Sequence, residues 1–424
     1  MEQRKAIINF EKAKIRNAVP GDVDAVLGLI QRVFTHREDA MAVIRDLLSA
    51  DKQLKVYNFR LMEYEDRLVG IVCTQRRLIQ FGSAKLLCGD VGYVSVEPKM
   101  HGCGLGTLLM QDNSRFLKEH GFHIARLGGL ARFYSRFGWS SICNHSWRFK
   151  LSDVKTGASV ISFTKFIGLD SEDRSKIRPM DKSRDWQQCL EVCKLCHTQS
   201  YWYEPLDSPF VELQKRRVND IELKRWVYEE NGSIKAYLMV ANDQNIFDAA
   251  WRPQNHGGFV ALLKYSMGII KQTDPQIAEI RASLPWKYEL MQAVAQAGLK
   301  YELVETYDAK GSTMVKAVDL KTLMKSFICE LQRRIKVMPE LPASKFVIEL
   351  TDASQQVGIN LSDMSVFEPG SDSELTYSMS QTDFMTMLIG AKLPSRLNIN
   401  VRPNSQSAII FIDSVFGLQN TVGP

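Results

Sequence analysis

Three glycines at alternate positions stand directly before a predicted helix, and residues of this type and spacing can bind an anion. Residues 90–109 read DVGYVSVEPKMHGCGLGTLL, a strand that ends at Pro98 and is followed by Gly102, Gly104 and Gly106. Glycine lets the backbone approach a ligand closely, and the unpaired amides of a helix start, together with the helix dipole, attract negative charge. The segment therefore predicts a pyrophosphate site.

The spacing of these glycines bears on which pyrophosphate is bound. A dinucleotide-binding fold needs G-x-G-x-x-G within a βαβ unit, whereas these glycines recur every second residue after a predicted antiparallel meander. The lysine of a Walker motif is also missing from the segment. An ordinary turn, in which the glycines serve only the backbone and Cys103 simply packs, is the alternative at this point.

A second segment, ARFYSRFGW at residues 131–139, follows the next predicted strand. Together the two segments resemble the hallmarks of the GNAT superfamily of acetyl-CoA-dependent N-acetyltransferases, which are Q/R-x-x-G-x-G/A at a helix start and a later Y-x-x-x-G-aromatic. His101 stands where glutamine or arginine is usual. This difference leaves the amide cradle intact, because the cradle is made of backbone groups. The motifs here are His101-Gly102-Cys103-Gly104-Leu105-Gly106 and Tyr134-Ser135-Arg136-Phe137-Gly138-Trp139.

The resemblance implies that the chain binds acetyl-CoA through its backbone. The strand before the turn would splay from its neighbour, and its free groups would hold the pantetheine arm and polarise the thioester carbonyl. These groups belong to Val94, Ser95 and Val96. The diphosphate would lie on the turn, at Gly102, Cys103, Gly104, Leu105, Gly106 and Thr107.

The resemblance also implies the chemistry. The acceptor amine would attack the thioester directly, in a ternary complex, and Tyr134 would protonate the departing thiolate as a general acid. Packing of the Tyr134 ring beneath a short helix is the alternative. Cys103 lies at the phosphate turn and is not expected to be a nucleophile. Asp90 and Glu97 are candidates for the base by proximity alone, and solvated carboxylates are the alternative interpretation.

The elements that must position these residues belong to a chain of 424 residues, which is too long for one core. Hydrophobic patterns predict an α+β protein whose first unit, residues 1–152, ends in a strand at Trp139–Leu151. The resemblance implies that this unit is the acetyl-CoA-binding GNAT domain. A second, degenerate GNAT-like domain is predicted at residues 153–309. Its segment Trp251–Phe259 lacks the G-x-G step, so we expect no coenzyme there. A third α+β unit covers residues 310–424, with late strands at Asn398–Val401 and Ala408–Ile412.

This order of units is similar to that of the enhanced-intracellular-survival (Eis-like) acetyltransferases, which end in a sterol-carrier-protein-like domain. The resemblance implies an amine-bearing substrate and a homo-oligomer such as a hexamer. It also implies that the terminal carboxylate, here that of Pro424, enters the active site beside the tyrosine. Relatives usually end in an aromatic or acidic residue, whereas this chain ends in Thr421-Val422-Gly423-Pro424. The alternative function is lipid carriage by the last unit on a GNAT scaffold, which an apolar tunnel would favour and a filled core would oppose.

A cysteine cluster shares its spacing with two metal-containing motifs. Cys193-x2-Cys196-His197 matches the haem-attachment pattern, and Cys189-x3-Cys193-x2-Cys196 matches an iron–sulfur spacing. Apolar and soft residues recur here at helical intervals, which favours an amphipathic helix facing a core. We therefore expect no metal, with a zinc or iron–sulfur site as the alternative.

Composition excludes several classes of function. The net charge of +6 arises from 54 basic and 48 acidic residues without a Lys/Arg run, so nucleic-acid binding is not expected. The sequence contains no stretch of about 18 apolar residues, so it predicts no membrane span. Because the first residues, Met1–Lys14, lack the apolar core of a secretory signal, we expect a cytoplasmic protein with reduced cysteines.

Overall fold

The computed structural model of the protein describes residues 9–35, 38–152, 154–156, 159–161, 168–197, 201–204, 224–241, 245–282, 284, 288–306, 313–336, 338, 341–370, 375–390 and 392–416. Contacts divide the chain into two units. Unit 1 consists of Met1–Ile142, Asp207–Val218 and Tyr307–Leu418, and unit 2 of Cys143–Leu206, Asn219–Thr306 and Gln419–Pro424.

The first part of unit 1 alternates helices with the strands of one sheet. Its strands are β1 (Ala13–Asn17), β2 (Tyr57–Tyr64), β3 (Arg67–Phe81), β4 (Ala84–Val96), β5 (Ile124–Gly128) and β6 (Ser140–Ser141). Its α-helices are α1 (Val23–Val33), α2 (Glu38–Ala50), α3 (Leu105–Glu119) and α4 (Ala131–Tyr134). Short 3-10 turns cover Phe10–Lys12, Pro20–Asp22, Pro98–Met100 and Ser135–Phe137.

Unit 2 follows a similar order. Its strands are β7 (Asn144–Lys150), β8 (Val154–Thr156), β9 (Ser159–Ile161), β10 (Ile177–Pro179), β11 (Tyr201–Tyr203), β12 (Lys224–Glu230), β13 (Ser233–Val240), β14 (Asn245–Trp251), β15 (Glu279–Ala282) and β16 (Tyr301–Thr306). Its helices are α5 (Ser171–Ser175), α6 (Lys182–Cys196), α7 (His256–Thr273) and α8 (Tyr288–Gln296).

The chain then returns to unit 1 with a second group of elements. They are β17 (Thr313–Ala317), α9 (Leu320–Ile335), β18 (Lys345–Leu350), β19 (Gln355–Asn360), β20 (Ser365–Phe367), β21 (Thr376–Met379), α10 (Gln381–Leu388), a 3-10 turn at Pro394–Arg396, β22 (Asn400–Arg402) and α11 (Gln406–Phe416). Along the described chain, no helix is both long and apolar enough to cross a membrane.

The first sheet of unit 1 is covered on both faces. Strands β1 to β5 lie side by side in chain order, antiparallel except for the parallel pair of β4 and β5. Helices α1 and α2 pack on one face, and α3 packs on the other. The central strand β3 therefore buries consecutive residues such as Val72 and Cys73, as a strand covered on both faces must.

The last strand of each unit's large sheet comes from a distant part of the sequence. In unit 1, β17 pairs with both β5 and β6. In unit 2, the sheet order is β10-β12-β13-β14-β15-β7-β16, so β7 lies between β15 and β16 and buries Trp147 and Phe149. The single strand predicted at Trp139–Leu151 is thus wrong, because β6 and β7 belong to different sheets. Strand β16 was not predicted.

The second part of unit 1 has its own sheet, in the order β20-β19-β18-β21-β22. Its core is filled by aromatic side chains that are almost fully buried, namely Phe327, Phe346, Tyr377, Phe384, Phe411 and Phe416. The strand predicted at Ala408–Ile412 is wrong, because these residues lie in α11. The buried residues Ala408, Phe411, Ile412 and Val415 follow the three-to-four-residue spacing of a helix, which outweighs the β propensity of the isoleucines.

Buried and half-buried polar side chains join the second part of unit 1 to its first part. The fully buried carboxylate of Glu330 accepts hydrogen bonds from the Ser83 amide and hydroxyl, at 2.8 and 2.9 Å. His123, just before β5, joins β4 to α9: its Nδ1 accepts from the Leu87 amide at 2.9 Å, and its Nε2 lies 3.0 Å from Ser326 Oγ. Since Nδ1 accepts, the ring must be neutral, with its proton on Nε2. Burial lowers the pKa of His123 despite the opposing effect of Asp319.

We expect the free energy of unfolding to fall as the pH drops below the ordinary histidine pKa of 6.5. In that range the unfolded chain binds a proton while folded His123 stays neutral, so its contribution is complete above this pH and is lost as the pH falls through the folded pKa. Titration of His123 should change the free energy of unfolding by at most about 1.4 kcal/mol per pH unit. Urea unfolding at about pH 7.5 and 5.5 checks this. His123→Gln, which cannot titrate, should show a shallower dependence, and equal slopes would contradict the argument.

Candidate active site

Strand β4 separates from β5 partway along its length. The parallel pairing runs only from Cys88, opposite Ile124, to Val91, opposite Leu127, although β4 continues to Val96. On its other side, β4 pairs Gly92 with Cys73 and Ser95 with Ile71, so two β4 residues stand opposite Val72 alone. One of the two, Tyr93, has a φ of 49°. Such a bulge bends a strand, and here it opens a gap between β4 and β5.

The residues predicted to hold a pantetheine arm lie at this gap. Val94, Ser95 and Val96 follow the bulge, beyond the last β4 residue that pairs with β5. Ser95 and Val96 pair with β3. The Ser95 side chain is buried, so only backbone groups of this residue can take part in binding. The geometry matches the splayed strand that the sequence resemblance implies.

The glycine turn opens helix α3 without a side-chain cap. Gly102 and Gly104 have φ values of 77° and 87°, in the left-handed region that glycine adopts most easily. Gly104 is the N-cap residue, and no side chain accepts from the first amides of the helix. The Thr107 and Leu108 amides bond to the Gly104 carbonyl. The helix start can therefore bind an anion through its remaining amides.

His101 ties this turn to the splayed strand. Its Nε2 lies 2.8 Å from the Val96 carbonyl oxygen. His101, which replaces the usual glutamine or arginine of the motif, thus holds the turn against the end of β4. This contact positions two parts of the predicted coenzyme site relative to each other.

Tyr134 lies at the end of α4, with its ring against Gly129. A Cβ atom added to Gly129 would be only 2.5 Å from Tyr134 Cε2, so a residue without a side chain is needed there. The Phe133 ring contacts Tyr134 edge-on, with centroids 4.9 Å apart. Burial raises the pKa of Tyr134 above its ordinary value of 10.0, so the phenol keeps its proton at neutral pH. A protonated phenol can act as a general acid.

Two side chains from the second part of unit 1 hold the end of the tyrosine segment. Lys316 Nζ, on β17, donates to the Phe137 carbonyl at 2.8 Å. Gln381 Nε2, on α10, donates to the adjacent Gly138 carbonyl. Burial lowers the pKa of Lys316. These contacts, together with Gly129, are site features that sequence reasoning missed, because the contacting residues are 179 and 243 positions apart and no local motif connects them.

A cavity of about 470 Å³ brings the splayed strand and the tyrosine together. Helices α1 and α2 form one wall, and the bulge of β4 and the segment after β5 form the other. Val94 and Tyr134, both predicted site residues, line it. The full lining is Ile30, Phe34, Met41, Ile44, Gln75, Val91, Gly92, Tyr93, Val94, Gly128, Gly129, Leu130, Phe133 and Tyr134. Pro424, the other predicted catalytic residue, lies outside the described residues.

The carboxylates considered as bases lie elsewhere. Asp90 is held 2.7 Å from both Arg77 and Arg126. Burial acts to raise the pKa of Asp90, but the two guanidinium groups outweigh it and the pKa is lowered. Glu97 lies 3.3 Å from Arg32. Neither lines the cavity, and Asp90 is a partly buried, ion-paired carboxylate rather than a solvated one.

The cysteine cluster lies in unit 2, on helix α6. Cys189, Cys193 and Cys196 are all buried, which confirms the predicted amphipathic helix. Burial raises the pKa of Cys189 to about 12, so this thiol is not prone to ionise. Within the described ranges, no group of three or more His, Cys, Asp or Glu side chains is arranged to hold a metal ion.

Comparison with known proteins assigns the first part of the chain. Residues 14–142 match the family described as "Acetyltransferase (GNAT) domain". No curated protein matches the sequence. The first sheet with its glycine turn and tyrosine segment is therefore a GNAT acetyltransferase domain, as the two motifs predicted.

Three solved structures are similar over nearly the whole chain. A GCN5-related N-acetyltransferase from Kribbella flavida has 14% identity and a TM-score of 0.62, and the match covers 98% of this chain and 99% of that one. A second, from Anabaena variabilis, has 12% identity and a TM-score of 0.63, with 97% and 99% covered. Eis1 from Mycobacterium abscessus has 12% identity and a TM-score of 0.62, with 96% and 98% covered. At such identities the likeness shows the fold, and the predicted α+β class with GNAT-like sheets is confirmed.

Proposed function

We propose that the protein is an N-acetyltransferase that moves the acetyl group of acetyl-CoA to an amine by direct attack. One observation carries the proposal. A bulged strand that has separated from β5, an uncapped helix start and a protonated tyrosine belong to one domain, and the strand and the tyrosine line one cavity. This set matches what acyl transfer from a thioester of coenzyme A needs.

The coenzyme would bind along the backbone. The pantetheine arm would pair with Val94, Ser95 and Val96 in the gap where β5 has left β4. The diphosphate would bind to the amides between Gly102 and Thr107, since the helix dipole favours negative charge at this end. An amide of the splayed strand would polarise the thioester carbonyl.

The reaction would proceed in a ternary complex. The amine nitrogen bonds to the thioester carbonyl carbon, and the negative charge that develops on the carbonyl oxygen is stabilised by a backbone amide. When the carbon–sulfur bond breaks, the thiolate takes the Tyr134 proton, and the amine proton that is lost restores the phenol. Direct attack is consistent with the position of Cys103, which does not line the cavity.

The finer features of the resemblance are part of this proposal. They are an Eis-like arrangement with a sterol-carrier-protein-like domain at residues 310–424, a homo-oligomer, a cytoplasmic location and a role for the Pro424 carboxylate beside Tyr134. The second part of unit 1 has a core filled with aromatic side chains, which gives lipid carriage no support. The buried cysteines on α6 give no support to a metal-dependent function.

We expect Gly104→Ala to weaken acetyl-CoA binding by at least about tenfold. An alanine strains the left-handed backbone at the helix start, and its Cβ would lie 2.9 Å from the Phe10 ring, so the amides that cradle the diphosphate must shift. Isothermal titration with acetyl-CoA measures the loss.

Gly121→Ala is the matched control. Gly121 also has a left-handed φ, of 68°, but it lies just beyond the other end of α3 and nothing is within 4 Å of an added Cβ. Its backbone strain is therefore comparable, and its coenzyme affinity should stay at the wild-type value. Equal affinities of both variants would contradict the proposed diphosphate site, and no heat on addition of acetyl-CoA to the wild type would overturn the proposed function.

A further inference from the structure

The cavity beside Tyr134 has one apolar wall, on the side of α1 and α2. Ile30 of α1 and Phe34, just after this helix, face it, as do Met41 and Ile44 of α2. At its edge the Leu130 side chain is 58% exposed. An acceptor thus meets an apolar side chain at the edge of the cavity and an apolar wall on the side of α1 and α2.

The described residues that line this cavity include no charged side chain. Their polar groups are the Gln75 amide, the phenols of Tyr93 and Tyr134, and the main chain of β4 and of the segment after β5. Those lining residues include no Asp, Glu, His, Lys or Arg. An ammonium group that enters would lose its hydration without gaining a carboxylate, and burying an unpaired charge is costly. A polycation carries several ammonium groups, so the free energy of burying an unpaired charge would oppose its binding more than once.

The same surroundings explain how an amine could attack although no basic side chain is among the described residues that line the cavity. Apolar surroundings disfavour the charged form of an amine, so the pKa of a bound ammonium falls. The neutral form, which alone can attack a thioester, is then favoured by the cavity itself. An apolar substrate body supplies the binding free energy that offsets loss of the proton to solvent.

We infer that the acceptor is a primary amine carried on an aromatic or branched aliphatic body, rather than a polycation such as a polyamine or an aminoglycoside. This inference rests on the proposed N-acetyltransferase function. The cavity volume of about 470 Å³ is within the range of small-molecule sites. The amine points toward Tyr134 and the bulge of β4, and the body lies against α1 and α2.

Thiol release from acetyl-CoA with matched amines tests the inference. With the full-length protein, kcat/KM for 2-phenylethylamine should exceed the values for ethylamine and spermidine by at least about 30-fold, as expected for burial of one aromatic ring. Parallel assays with hexanoyl-CoA examine whether the apolar wall serves the acyl chain instead. A clear preference for hexanoyl-CoA, together with equal rates for ethylamine and 2-phenylethylamine, would overturn the inference.

Leu130→Glu places a carboxylate at the edge of the cavity without disturbing a core, because Leu130 is largely exposed. We expect kcat/KM to fall about tenfold for 2-phenylethylamine and to rise for spermidine. Leu341→Glu, at another exposed leucine (43%) outside the cavity, should change neither value. A wild-type preference for spermidine would overturn the substrate class but leave N-acetyl transfer intact. Protein that binds acetyl-CoA and acetylates no amine of either class would overturn both.

Discussion

Gly129→Ala is expected to lower the kcat of acetyl transfer by about 100-fold, the typical cost of misplacing a catalytic group by about 1 Å. The new methyl group would lie 2.5 Å from Tyr134 Cε2, whereas ordinary contacts begin at 3.4 Å, so the ring must move. Gly129 is not among the residues with a left-handed φ, so alanine brings no backbone strain. Steady-state kinetics with saturating acetyl-CoA and amine measure the loss.

Gly128→Ala adds the same methyl group one residue earlier. No heavy atom lies within 4 Å of its Cβ position, so Tyr134 is not touched and kcat should stay within about threefold of the wild type. Thermal unfolding should occur at similar temperatures for both variants. If Gly129→Ala kept wild-type kcat, Tyr134 would have no fixed catalytic position.

The two motifs of the site could be predicted because each is contiguous and sets its own backbone. Left-handed glycines such as Gly104 and Gly138 fix turns locally, and the helix start after Gly104 needs no distant partner. The position of Tyr134 on a short helix follows from the same local signals. The gap between β4 and β5 could be predicted only from the family resemblance, since nothing in the pattern of β4 marks Tyr93 as a bulge.

Features that depend on distant partners could not be predicted. A strand pattern at residues 144–150 indicates burial on a sheet but not which sheet, so the pairing of β7 with β16 was missed. Likewise, nothing in the sequence around Lys316 indicates its contact with the Phe137 carbonyl, which forms only in the folded protein. Asp90 was considered a base because it lies beside the splayed strand. Its neutralisation by Arg77 and Arg126 depends on side chains from two other strands.

Tyr134→Phe should lower kcat by about 10²- to 10⁴-fold, the range of a general-acid contribution. The ring and its packing against Phe133 are kept, and only the hydroxyl is lost. Because the coenzyme is held by backbone groups, its dissociation constant should change by less than about threefold. The thiol-release assay and isothermal titration measure the two quantities. A loss confined to coenzyme affinity would remove Tyr134 from the chemistry.

The pH dependence of the wild type gives an independent measure of this role. Burial raises the pKa of Tyr134 above 10.0, so the acid form persists through neutral pH. We therefore expect kcat to show no decline from loss of this proton until the pH exceeds about 10. A falling limb centred near pH 8 would mean that a different group donates the proton.

A double variant that combines Gly129→Ala with Tyr134→Phe tests how Gly129 acts. If Gly129 matters only because it leaves room for the Tyr134 ring, Gly129→Ala has little left to disturb once the hydroxyl is gone. The double variant should then be no more than about threefold slower than Tyr134→Phe alone, as residues that act as one unit are strongly non-additive. If the separate losses multiplied instead, Gly129 would act on the substrate or the backbone independently, and the contact with Tyr134 would not be the reason for a glycine at this position.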